Sequence, residues 1–226
     1  MFHFIKKIGK EVAVCHPDPG PDFLKWVEGA DQINSHETDR QLVEQLVLEA
    51  DLLICLDFNA PGRVGQEMEP LMRSFQGVKV VIDHHLDPDL SYFDHVLSNT
   101  NVASTSELVF EFIVGSGNQD LIDVLIGTPL YLGIMTDTGS FRYPSVRPET
   151  HDILAHLLRI GVEHDGQRRR LPDRGEVGHD AVLVDRKVGL EHGERGGLAR
   201  AGQAGDQQQL LGRTGRGVGV GHRGPS

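Results

Sequence analysis

The sequence predicts an α/β fold in which a mainly parallel sheet is flanked by helices. Three observations carry this. Short, mostly apolar runs, DLLICLD (51–57), apolar between its two acids, and VKVVID (78–83), apolar but for Lys79 and its closing acid, read as buried strands. Longer stretches between them repeat apolar residues at three- and four-residue intervals, the period of a helix with one buried face. The two kinds alternate over residues 1–165, the pattern of a layered βα fold.

In chain order, EVAVCH (Glu11–His16) reads as a strand and PDFLKWVEGA as a short helix or turn. TDRQLVEQLVLEA carries apolar residues at 42, 43, 46 and 47, a helical stripe. DLLICLD is a strand closed by an acid, and RVGQEMEPLMRSF a helix that Pro70 interrupts. VKVVID is the next strand. STSELVFEFIV is a helix whose Ser104 and Glu107 have the spacing of a capping box. TPLYLGIMTDTGSF starts another, with Thr128 as cap and Pro129 in the first helical position. RPETHDILAHLLRIG (Arg147–Gly161) is amphipathic and stops at a glycine.

Composition changes near Asp165. Residues 166–226 hold 15 glycines and 10 arginines but no Ile, Met or aromatic, too little apolar surface to offset chain entropy. The expected organisation is therefore an incomplete catalytic domain over 1–165 and a Gly/Arg-rich tail over 166–226, disordered or frame-shifted. An RGG-type nucleic-acid tail would interleave aromatics, and this one has none. The formal charge is −11, with the tail at +4 and residues 1–165 at −15. Such a balance argues against capture of long nucleic acid, which needs many Lys and Arg contacts to phosphates. No run is long and apolar enough to span a membrane. Cys15 and Cys55 lie in apolar strand-like runs and read as buried thiols. A cytoplasmic location is expected.

The chemistry sits where strands stop. In KVVIDHHLDPD (79–89), a buried strand ends in Asp83, His84 and His85. Asp57 ends the preceding strand, and Asp137 lies in GIMTDTGSF. Ligands of open parallel sheets bind at the carboxyl ends of the strands. Acids and imidazoles gathered there would repel or titrate unless a cation held them. A mixed Asp/His set suits Mn²⁺ or Co²⁺ better than an all-oxygen Mg²⁺ or Ca²⁺ site. Two such ions about 3.5–4 Å apart can clamp a phosphoryl group. Asp57 is the natural bridge. His84 and Asp137 complete one metal, and His85, one residue on, points the other way if the strand persists, toward the phosphate or the leaving oxygen. Ser104 and Thr105, at a helix N-terminus, are candidates to hold a substrate phosphate, as is Arg142. His151, His156 and His164 read as surface or packing residues, and Trp26 as a packing anchor.

VIDHH, with LLICLDFNA before it and GIMTDTGSFRY after it, resembles the DHH phosphoesterase superfamily, over roughly residues 1–165. Within it the chain is similar to the bifunctional oligoribonuclease and 3′-phosphoadenosine 5′-phosphate phosphatase branch. The resemblance implies a hydrolase using two Mn²⁺ ions. Its partners would be short oligonucleotides or phosphorylated adenosine nucleotides, with neither long nucleic acid nor a membrane, and a homodimer stays open. It implies metal ligands at Asp57, His84 and Asp137, and catalytic roles for Asp83 and His85.

Two departures temper that expectation. The family opens with a strand and H-x-x-P-D-x-D-x-x-G-S, which this chain lacks. In CHPDPGPDF the acids miss the spacing, since Gly20 stands four residues after His16 and only Asp22 falls at six. FHFIKKIGKEVAV instead resembles the end of the family's first helix running into its second strand, so about three metal ligands are expected to be missing and the chain to be inactive. GVGVGHRG (217–224) echoes the family's C-terminal GGGH motif only faintly. An inactive nucleotide-binding remnant, an inorganic pyrophosphatase and a single-strand exonuclease are the competing readings.

Overall fold

A computed structural model describes residues 1–164 and the backbone of residues 181–186. Helix α1 (Phe2–Lys7) leads into strand β1 (Glu11–His16). Two 3₁₀ turns (Asp22–Leu24 and Ala30–Gln32) precede strand β2 (Ile33–Ser35) and helix α2 (Arg40–Leu48). Strand β3 (Leu52–Leu56), a 3₁₀ turn at Pro61–Val64, helix α3 (Glu69–Ser74), and strands β4 (Val78–Asp83) and β5 (His95–Ser98) follow. Helices α4 (Thr105–Gly115), α5 (Val124–Asp137) and α6 (Pro148–Arg159) come next, then strand β6 (Ala181–Arg186).

The sheet order is β2-β1-β6-β3-β4-β5. Strands β1 and β2 pair in parallel, as do β3 with β4 and β4 with β5. Strand β6 lies between these two parallel blocks and runs antiparallel to both neighbours. The sheet is thus mainly parallel with helices on both faces, as the sequence predicts.

Alternation along each strand distributes the core. Val14, Ile54 and Ile82 join one apolar cluster with α1, α4, α5 and α6. Cys15, Leu53, Cys55 and Val81 join the other with α2 and α3. Each fully buried Leu, Ile or Met contributes roughly 1.5–3 kcal/mol, more than a single hydrogen bond, so two-sided burial is what holds the strand ends in place. Both cysteines are buried free thiols, and burial pushes Cys15 up to about 12. No helix among the described residues is long and apolar enough to cross a membrane.

Several elements differ from expectation. Pro70 does not interrupt a helix. It stands in the first turn of α3, where its missing N–H costs nothing. Pro129 is inside α5, because the helix starts earlier, at Val124, capped by the Asp123 carboxylate accepting from the Ile126 N–H. Strands β2 and β5 were not foreseen. Within the expected tail, Ala181–Arg186 forms β6, while the GVGVGHRG echo lies outside the described residues.

Candidate metal centre

Strands β3 and β4 are neighbours in parallel register, Leu56 opposite Ile82, so their carboxyl ends share one edge of the sheet. The Asp57 N–H extends the ladder by one bond, to the Ile82 carbonyl at 3.2 Å. Asp57 then leaves the strand with φ of +68°, a left-handed conformation uncommon outside glycine. That turn directs its carboxylate along the rim. Oδ1 accepts a hydrogen bond from Thr105 Oγ1 at 2.6 Å and stands 3.6 Å from His84 Nε2.

The two histidines are both oriented by their Nδ1 atoms. His84 Nδ1 faces the Val102 carbonyl at 3.5 Å, a contact that a hydrogen on Nδ1 would serve, and this turns Nε2 toward Asp57, where it can act as a metal ligand. His85 Nδ1 lies 2.8 Å from Asp83 Oδ1, and its backbone N–H donates to Asp83 Oδ2 at 3.0 Å. Asp83 is fully buried, an orienting group turned away from solvent. Anchoring of Nδ1 by a carbonyl or carboxylate, with Nε2 left free, is the usual arrangement behind metal-binding histidines. The condition on which His85 would point opposite to His84 is not met: β4 ends at Asp83, alternation ends with it, and the rings sit edge to face at 4.5 Å.

Among the described residues, one grouping of donors has the compactness a cation needs. Ligand atoms of Asp57, His84 and His85 all lie within 4.8 Å of one another. Burial raises the Asp57 pKa, against the Thr105 hydrogen bond and the two histidines. Asp137, the last residue of α5, is pushed up to about 7, chiefly by burial and further by the Asp57 and Glu107 charges, against the Ser104 side chain and His85. It stands outside the tight grouping but within electrostatic reach of it. For His85, burial alone would lower the pKa; the Asp83 hydrogen bond and the Asp83 and Asp57 charges outweigh it, and the net direction is up. Buried acids held above their ordinary range beside free imidazole nitrogens are the chemistry of a set that lacks a positive charge. A divalent ion fits it.

The other candidates divide. Ser104 caps α4, its hydroxyl accepting from the Ser106 N–H at 3.1 Å, and Thr105 reaches Asp57, so this helix N-terminus joins the rim. Arg142 is exposed, and its Nε donates to the Gly139 carbonyl at 2.7 Å, bracing the turn after Asp137. His156 packs on Phe110, His164 meets the Tyr131 hydroxyl at 2.6 Å, His151 is exposed, and Trp26 packs against the larger core cluster. A cavity of about 550 Å³ along His16–Lys25 is lined by none of the rim residues.

Two residues went unrecognised in the sequence. Arg63 is exposed, and its charge acts on His85. Asn59 is buried and donates from Nδ2 to the Leu86 carbonyl at 2.5 Å, fastening the segment that follows the histidines. Asn59 stands in LDFNA two residues after Asp57, a proximity that could have flagged it. Nothing periodic marks Arg63.

Comparison with known proteins gives a consistent result. Residues 1–134 match the family model described as DHH family, N-terminal domain. The chain is 33% identical over 172 residues to the bifunctional oligoribonuclease and PAP phosphatase NrnA of Thermus thermophilus, covering 72% of this chain and 45% of that protein. It is 27% identical over 149 residues to the protein of the same name from Bacillus subtilis, covering 65% of this chain and 42% of the relative. The chain therefore spans about half the length of these relatives. Among solved structures it is similar to an exopolyphosphatase-related protein from Bacteroides fragilis, with a TM-score of 0.73 and 36% identity over 77% of this chain and 51% of the other.

Proposed function

This chain belongs to the DHH family, and on that footing we propose that it is a divalent-metal phosphoesterase, using Mn²⁺, that hydrolyses short oligoribonucleotides or 3′-phosphoadenosine 5′-phosphate. The observation that carries the reading is the convergence of Asp57, His84 and His85 within 4.8 Å, with both Nδ1 atoms engaged behind them. The relatives named oligoribonuclease and PAP phosphatase support the substrate class.

In this reading two of the compact trio, Asp57 and His84, hold the ion together with Asp137, and His85 beside them faces the substrate. A bound divalent ion supplies polarisation of a phosphoryl oxygen and a more acidic water. The chain's own residues do the rest. Thr105 fixes the Asp57 carboxylate through its hydroxyl. Asp83 keeps the hydrogen of His85 on Nδ1 and stabilises the protonated ring, so the half-exposed imidazole meets a phosphate oxygen as a donor from Nε2. Arg63 is near enough for its charge to act on His85, lowering its pKa against the pull of Asp83. Ser104 braces Asp137.

The test is release of mononucleotides from di- to pentanucleotides, and of phosphate from 3′-phosphoadenosine 5′-phosphate, by the purified chain with Mn²⁺. Release of neither by wild type is the outcome expected if the H-x-x-P-D-x-D motif that the sequence lacks is indispensable, and it would leave the inactive nucleotide-binding reading standing. His84→Ala should lower the rate at least a hundredfold. Full activity in that variant would remove the assignment. A second reading, hydrolysis of inorganic pyrophosphate or polyphosphate, is favoured by the similarity to the exopolyphosphatase-related protein. The same assay run on those substrates separates the two.

A further inference from the structure

We propose that Glu107 is a positioning residue for the rim, tying the first turn of α4 to α6 so that Ser104 and Thr105 stay seated against Asp137 and Asp57. The inference rests on the reading of the Asp57 cluster as a cation site and extends it to residues some distance away in sequence. Glu107 is fully buried, an uncommon place for a carboxylate. Its oxygens are divided between two helices. Oε1 accepts from the Ala103 N–H at 3.0 Å, just before α4. Oε2 accepts from Thr150 Oγ1 at 3.1 Å and faces the Arg147 guanidinium at 3.4 Å, both at the start of α6. A helix cap alone would need only the first of these contacts. Here the box is displaced: the glutamate reaches back past Ser104 to Ala103, and its second oxygen is committed elsewhere.

The consequence falls on the two residues between. Thr105 donates to Asp57 at 2.6 Å. Ser104 is fully buried, and its side chain acts on Asp137. On the far side α4 lies so close to α5 that a Cβ at Gly133 would collide with the Ser106 hydroxyl, and Gly133 is one helical turn before Asp137. The α4 first turn is therefore located from three directions: by Asp57, by the close approach at Gly133, and by the Glu107 bonds to α6. Groups bonded directly to a metal ligand, as Thr105 is to Asp57, typically change metal affinity by 10–100-fold when removed, and Glu107 acts through them.

The experiment is a Mn²⁺ titration of the full chain, followed by electron paramagnetic resonance, for wild type, Glu107→Gln, Thr150→Val and Thr150→Ser. Gln turns an amide N–H₂ toward donors that need an acceptor. Its Mn²⁺ affinity should fall at least tenfold among folded molecules, Thr150→Val should fall less, and Thr150→Ser, which keeps the hydroxyl, should match wild type. A Glu107→Gln protein that is folded and binds Mn²⁺ as wild type does overturns the proposal. If Glu107→Gln does not fold, Thr150→Val decides by the same criterion. If wild type binds no Mn²⁺, the proposed function fails separately. The positioning role is then read from amide exchange in the metal-free chain: at least tenfold faster exchange at Ser106 in the variant, without a matching global change, supports it, and unchanged exchange refutes it.

Discussion

Replacing Asp137 by Asn should make the metal-free protein more stable while weakening its hold on a cation. In the metal-free protein burial carries the Asp137 pKa from 3.8 to about 7. A carboxyl raised in this way contributes stability that is fully present below its unfolded value, and that contribution is lost as pH rises through about 7. Going from 3.8 to about 7 at 1.36 kcal/mol per pH unit corresponds to ~4 kcal/mol, which partial solvent access to the side chain reduces to roughly 2–4 kcal/mol. Asparagine has nearly the same shape and no charge to desolvate. At pH 8 in chelator, Asp137→Asn should melt about 5–15 °C above wild type for a chain of this size, and at pH 4 the two should coincide. Saturating Mn²⁺ should close most of that gap. At 100-fold over its dissociation constant a ligand adds about 2.7 kcal/mol to wild type, and a variant missing a ligand gains less. Differential scanning calorimetry at the two pH values, with and without Mn²⁺, reads all four quantities. A metal-free Asp137→Asn protein that melts at or below wild type at pH 8 would refute the reasoning.

Other perturbations test neighbouring parts of the rim. At Asp57, with φ of +68°, Asn tolerates the left-handed backbone and Ala does not, so Asp57→Ala should be at least about 1 kcal/mol less stable than Asp57→Asn in urea unfolding, while both lose Mn²⁺ binding. Asp83→Asn should lower the His85 titration midpoint seen by NMR. His85 is raised in the folded protein, so its stabilisation is present below about 6.5 and fades as pH rises through the folded value; the variant should lose that acid-side stabilisation. Thr105→Val removes the bond to Asp57 while keeping the helix start, and isothermal titration should show Mn²⁺ binding weakened by about tenfold.

How much of this was visible in the sequence depended on which physical signal each element leaves. Strands β3 and β4 are buried on both faces, so their apolar runs were unambiguous, and the acids and histidines closing them marked the rim. Strands β2 (INS) and β5 (HVLS) are short and sit at the sheet edges, with β5 partly exposed, so no apolar run announces them. AVLVDR, the β6 segment, is apolar locally but embedded in a Gly/Arg-rich stretch whose average composition hid it. Helix α5 is apolar on nearly every side and shows no stripe, so the sequence pattern puts its start at Pro129 rather than at Val124. The direction of His85 depended on where β4 stops, a boundary that period-2 reasoning does not set. Glu107 was legible as a cap but not as a link to α6, because its partners Arg147 and Thr150 are forty residues away and only packing brings them near.

The middle of the sheet is delivered late. Glu11 pairs with Arg186 and Leu56 with Ala181, so β1 and β3 wait for a strand made long after them. At roughly 5–20 residues per second, a ribosome spends on the order of ten seconds between releasing β3 and releasing β6. For that interval the nascent chain carries two unsatisfied strand borders facing an open lane, a template for any passing extended peptide.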